Sequence, residues 1–132
     1  MTTVLFVEDD PNSVRILQKV LTKQGGFVAK HTEDVEEVMQ IAQSGEVDII
    51  LMDVDLGNSS YQGQAVNGIK ITQMLKANPK TAKVPVILVT ANAREGDREQ
   101  LLKDSGADDY IPKPLVDYQE FFARILALLP NN

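Results

Sequence analysis

The sequence predicts an α/β domain: a doubly wound sandwich with helices on both faces of a five-stranded parallel sheet. Three observations predict it. Short β-branched runs alternate five times with longer segments of helical period, the pattern of βαβ units. The third run, residues 48–52, is apolar on both faces and reads as a central strand of a parallel sheet. Finally, four runs end on residues that phosphate chemistry can use: Glu8, Asp9 and Asp10 after the first, then Asp53, Thr90 and Lys113.

The first strand is expected over residues 3–7. The first helix follows Pro11, a good first-turn residue, and stops near Gly25 and Gly26. The second strand takes residues 27–31. The second helix, residues 35–44, has Asp34 or Thr32 as its cap and Gly45 as its stop. After the strand at 48–52, the third helix starts near Asn67 and Gly68 and ends at Ala77 before Pro79. The fourth strand covers 84–89 and the fourth helix 97–105, with Gly106 behind it. A strand at 109–111, a helix at 116–129 and a tail at 130–132 complete the chain.

Right-handed crossovers restrict such a chain, and 2-1-3-4-5 is the strand order expected for five strands, giving a flavodoxin-like three-layer sandwich. The topological switch then falls between the first and third strands, where Glu8, Asp9 and Asp53 emerge. In the first helix, Val14, Ile16, Leu17, Val20 and Leu21 span an arc of roughly 160° at about 100° per residue. That is wider than a core stripe needs. Either it is a broad core face or its margin docks a partner helix.

With 132 residues and 43% hydrophobic content, the expectation is one domain spanning 1–132 with no effector domain. No apolar run is long enough to cross a membrane, and no signal peptide opens the chain, so a cytoplasmic protein is expected. The absence of cysteine removes disulfides, thiolate metal sites and cysteine nucleophiles, and the single His31 cannot build a multi-histidine site. Any metal must be held by oxygen. A net charge of -6 without clustered Lys or Arg argues against nucleic acid and for a protein partner.

In one parallel sheet the carboxyl ends of the strands share an edge, which brings Glu8, Asp9 and Asp53 together. Three such carboxylates repel one another unless a cation neutralises them. An all-oxygen cluster suits Mg²⁺, Lys113 adds a fixed positive charge, and Thr90 adds a hydroxyl donor for phosphoryl oxygens. Asp53 is then the natural nucleophile, able to form an acyl phosphate. Singly these residues mean little: Asp10 before Pro11 reads as a helix cap, and Asp53 alone as a turn former. Their order along four strand ends is what is specific.

These motifs, Val-Glu-Asp-Asp-Pro at 7–11, Ile-Ile-Leu-Met-Asp at 49–53, Val-Thr-Ala at 89–91 and Asp-Tyr-Ile-Pro-Lys-Pro at 109–114, resemble those of receiver domains of two-component response regulators, of the stand-alone CheY-like type. The resemblance implies that Asp53 is the phosphoacceptor. It implies that Asp9 holds Mg²⁺ directly, that Glu8 acts through water, and that the backbone carbonyl of Asp55 is a further ligand. Thr90 and Lys113 match the phosphoryl-sensing hydroxyl and the salt-bridging lysine. Tyr110 holds the place of the aromatic that turns inward on activation, small Ala91 leaves the acceptor accessible, and Lys113–Pro114 is expected to be a cis peptide. Asp55 and Asn92 flank the approach of hydrolytic water and are expected to tune dephosphorylation. The donor would be a sensor histidine kinase or a histidine phosphotransfer protein. Output would use the face of the fourth helix, fifth strand and fifth helix, with Tyr118 a candidate position.

One departure from that family is a longer loop. Gly57 stands where relatives carry proline, and Gly68 comes fifteen residues after Asp53 rather than about eight. Residues 57–67, rich in Asn, Ser, Gln and Gly, are expected to be a mobile, solvated segment, either a tolerated insertion or one that selects the partner or shields the acyl phosphate. A competing reading is a haloacid-dehalogenase-like phosphatase using Asp53 and Asp55, since residues 49–55 have its apolar-run-then-Asp-x-Asp form. It is disfavoured because a carboxylate pair precedes this motif and only Asp108 and Asp109 follow. The chain is therefore expected to be no enzyme beyond its own phosphorylation and slow autodephosphorylation. A nucleotide-binding domain is weaker still, because no glycine-rich phosphate loop follows the first strand.

Overall fold

The computed structural model describes residues 2–54, 56, 60–61, 64–90, 97–113 and 115–129, with backbone alone at 60, 61, 64, 65 and 97. The main sheet contains β1 (Thr3–Val7), β2 (Val28–Thr32), β3 (Ile49–Asp53), β6 (Val86–Thr90) and β7 (Asp109–Pro112). The short strands β4 (Ser60–Tyr61) and β5 (Gln64–Ala65) form a separate antiparallel pair. The main sheet runs β2-β1-β3-β6-β7, all parallel, which is 2-1-3-4-5 counted within the sheet. The helices are α1 (Pro11–Lys19), α2 (Val35–Ser44), α3 (Gly68–Ala77), α4 (Asp97–Ser105) and α5 (Tyr118–Leu128).

Alternation along the strands divides the core into two layers. Phe6, Leu51 and Val89 point toward α1 and α5, where they meet Leu17, Phe121 and Ile125. Leu5, Met52 and Leu88 point the other way, toward Val38, Ile71 and Leu75 of α2 and α3, with Leu101 and Leu102 of α4 beside them. β3 and β6 are buried at every residue, as strands covered on both faces must be. β2 is an edge strand and mostly exposed.

Several boundaries differ from the sequence expectation, and each has a local cause. Phe27 leaves β2 because its amide donates to the Leu21 carbonyl (2.9 Å), which turns its ring against Phe122. β3 starts and ends one residue later, so Asp53 belongs to the strand. Asp48 sits before it, using its carboxylate to accept from the Thr3 amide at 2.8 Å. β6 begins at Val86 rather than 84, because the Val84 carbonyl accepts from Lys76 Nζ (2.9 Å) in a turn. α5 begins at Tyr118 rather than 116, because the Asp117 side chain caps it through the Glu120 amide (3.0 Å). β7 runs one residue further, to Pro112.

Helix stops follow the sequence more closely. α1 passes at Val20 into one π-helical turn, Val20–Gln24, that closes with the Gly25 amide on the Val20 carbonyl. Asp34, not Thr32, caps α2, accepting from the Glu36 amide at 3.0 Å. Gly45 ends that helix at φ 79°, a left-handed conformation that side chains resist. Of the broad α1 arc, Leu17, Val20 and Leu21 are buried and Val14 packs at the core margin, but Ile16 is 53% exposed. The wide-core alternative therefore fails at Ile16.

Of residues 57–67, expected from the sequence to be a mobile loop, 57–59, 62 and 63 lie outside the described residues. The stretch after Asp53 carries the β4–β5 pair and is anchored by Leu56, buried in the α2–α3 layer, and by Val66 at the margin of that layer. Strands of two residues leave no periodic signal in a sequence, so the segment read as irregular.

Candidate functional site

The site is built where β1, β3, β6 and β7 end. Glu8 and Asp9 follow β1 directly, Asp53 is the last residue of β3, Thr90 the last of β6, and Lys113 the first after β7. Carboxylate oxygens of Glu8, Asp9 and Asp53 all lie within 4.8 Å of one another. Glu8 and Asp53 are buried and Asp9 is half-buried. The third acid of the run has a different task. Asp10 caps α1, accepting from the Asn12 amide (3.4 Å) and the Ser13 hydroxyl (3.0 Å), with Pro11 in the first turn.

Lys113 supplies the counter-charge. Its Nζ lies 2.7 Å from Glu8 Oε2 and 3.8 Å from Asp53 Oδ1. The other Glu8 oxygen accepts from the Asp10 amide at 3.2 Å, so both oxygens of this buried carboxylate are engaged. The Lys113 amide donates to the Thr90 carbonyl at 2.8 Å, which ties the end of β7 to the end of β6. Thr90 itself is buried, at 2% exposure. Three carboxylates with no nitrogen or sulfur donor fit a hard, oxygen-seeking ion such as Mg²⁺, and Glu8, Asp9 and Asp53 are the residues that would hold it.

Tyr110 is buried, at 5% exposure, in the layer that includes Leu88 and Leu102. Its carbonyl accepts from Arg98 Nη1 (3.1 Å) and Arg124 Nη1 (3.3 Å). Both arginines also pair with Asp109, so one carboxylate joins α4, β7 and α5 around this residue. Tyr118 is not an exposed position of that face. It is partly buried against the α1 side and, with Ile16, Leu17 and Leu115, lines a groove of about 520 Å³ that reaches Lys113.

Two neighbours of the site were not legible as such in the sequence. Gly68 opens α3 with its amide on the Val54 carbonyl (3.1 Å), and a Cβ there would collide with the backbone carbonyl of Asp53. Only its spacing from Asp53 was visible in the sequence. His31, discounted as a lone histidine, donates from Nε2 to the Glu8 carbonyl at 2.7 Å. Asp55, Ala91, Asn92 and Pro114 lie outside the described residues.

Fold and site together define a flavodoxin-like α/β domain with an acid pocket at its switch point. Residues 4–126 match the family model for the response regulator receiver domain, and the chain belongs to that family. Response regulator ArlR of Staphylococcus aureus is 36% identical over 130 residues, covering 98% of this chain and 53% of its own length. The chain thus spans about half the length of the curated relatives it matches. Among solved structures, the receiver domain of sensor histidine kinase PA1611 from Pseudomonas aeruginosa has a TM-score of 0.75 at 31% identity. That match covers 95% of this chain and 93% of the other. That protein carries a magnesium ion coordinated in its active site cleft. Chemotaxis protein CheY4 of Vibrio cholerae, at 20% identity, shares the fold with a TM-score of 0.76 over 98% of this chain and 99% of its own. The phosphatase reading of Asp53 and Asp55 gains nothing from the family match. Among the described residues, no helix is long and apolar enough to cross a membrane.

Proposed function

We propose that this receiver is a phosphorylation-dependent switch in which Asp53 accepts a phosphoryl group from the phosphohistidine of a sensor histidine kinase or a histidine phosphotransfer protein. The observation that carries the proposal is the convergence of three carboxylates within 4.8 Å, with Lys113 Nζ reaching both Glu8 and Asp53. Bound Mg²⁺ supplies charge neutralisation for the incoming phosphoryl oxygens. Asp53 offers the attacking oxygen; Asp9, Asp53 and the Asp55 carbonyl, with Glu8 through water, would hold the ion, and Lys113 and the Thr90 hydroxyl receive the phosphoryl oxygens. Ala91 leaves room for the donor, Asp55 and Asn92 tune hydrolysis, and Tyr110 relays the change to the α4-β7-α5 face. In this reading the chain turns over only its own phosphoryl group and signals by binding a protein. The same reading places it in the cytoplasm, where the ATP that loads such donors is found.

Acetyl phosphate with Mg²⁺ should add about one phosphoryl group per chain, the stoichiometry of a single nucleophile. Asp53→Asn should take none. Equal incorporation by both proteins would falsify the assignment.

A further inference from the structure

The ion pocket depends on a short turn, Glu8 to Asp10, that lies beyond the hydrogen-bonded ladder of β1. Inside the pocket the turn is tied by the Glu8 carboxylate, which accepts from the Asp10 amide at 3.2 Å. Outside, it is tied by His31. Pairing of β1 with β2 sets His31 opposite Phe6, and the two rings pack with centroids 5.0 Å apart and planes at 37°. Phe6 is fully buried, so the exposed imidazole is braced against a close-packed core side chain. Its Nε2 lies 2.7 Å from the Glu8 carbonyl oxygen. A carbonyl only accepts, so Nε2 carries the proton and donates.

We propose that His31 is a positioning residue for the ion pocket, orienting the Glu8–Asp9 peptide from outside the carboxylate cluster; this rests on the receiver reading of that cluster. The carbonyl His31 holds belongs to the peptide plane linking the two acids. Fixing that plane fixes the direction in which both side chains leave the backbone. Ion affinity is sensitive to such displacement, because outer partners of metal ligands typically contribute about 10-fold or more to binding. No side chain of the Glu8–Asp10 turn can replace this donor, since all three are carboxylates. β2 is an edge strand and His31 is exposed, so the only core side chain its ring is seen to pack on, among the described residues, is Phe6.

Two variants separate hydrogen bonding from packing. His31→Phe keeps an aromatic ring against Phe6 and removes the donor. His31→Gln removes the ring and restores an N–H at a similar reach. Binding of Mn²⁺, an oxygen-seeking probe of the same pocket, is measured on the unphosphorylated chain by electron paramagnetic resonance of the free ion, with thermal melting alongside. The expected result is about 10-fold weaker Mn²⁺ binding by His31→Phe, and near wild-type binding by His31→Gln. Wild-type affinity in His31→Phe overturns the proposal and, if His31→Gln alone is weakened, assigns the effect to ring packing; equal weakening in both variants overturns it too, because a restored N–H would then not restore binding. If the wild-type chain binds no Mn²⁺, the ion-site reading fails and takes this inference with it.

Discussion

Lys113 Nζ sits 2.7 Å from Glu8 Oε2 and 3.8 Å from Asp53 Oδ1, so the lysine closes on the acid that follows β1 rather than on the acid that ends β3. Both partners of the closer pair are largely buried, with side-chain exposures of 18% and 2%. The pair joins the last strand of the sheet to the first across 105 residues of sequence. It also gives the acid pocket a cation of its own.

Removing that cation leaves a buried carboxylate without its charged partner. Lys113→Met should lower stability in the absence of divalent ions by about 3 kcal/mol, the cost of breaking a buried pair from one side. Mg²⁺ should then stabilise the variant more than the wild type, because ion and lysine neutralise the same acids. Urea unfolding with and without Mg²⁺ checks this. An equal gain in both proteins would show that lysine and ion act independently.

Gly68→Ala sets two effects against each other. Alanine favours a helix by up to about 1 kcal/mol over glycine. Overpacking costs about 1–3 kcal/mol, and here the obstacle is the Asp53 backbone carbonyl, which has no rotamer to escape into. Collision should win, giving a lower melting temperature and slower phosphorylation by acetyl phosphate. A variant at least as stable as wild type and equally reactive would contradict it.

The α1 face yields a contrast between adjacent residues. Leu17 is 4% exposed and Ile16 is 53% exposed. Leu17→Ala should cost about 2–4 kcal/mol, whereas Ile16→Ser should change stability by no more than about 0.5 kcal/mol. Chemical denaturation of the two single variants is sufficient to compare them.

Asp109 accepts from Arg98 Nη2 (2.8 Å) and from Arg124 Nη1 (3.1 Å) with its side chain only 15% exposed. Asp109→Ala removes both charge-assisted bonds and should cost about 2 kcal/mol. Hydrogen exchange should rise in α4 and around Arg124 in α5 while the amides of β1 and β3 keep their protection. Uniform loss of protection would show that Asp109 supports the whole fold instead.

The sequence by itself determined the class of fold, the strand order and the chemical identity of the acid pocket. Period, cap and glycine signals are local, and parallel crossovers leave few ways to arrange five strands, so Glu8, Asp9, Asp53, Thr90 and Lys113 could be assigned to one edge before any contact was known. What local signals cannot encode is which partner each side chain takes. Only tertiary structure decided that Lys113 closes on Glu8 more tightly than on Asp53. It also decided that Ile16 lies outside the core, and that His31 and Gly68 brace the two acid-bearing strand ends. These relations depend on strand register and on helices crossing the sheet, and such contacts form between residues far apart in the chain, where no sequence period reaches.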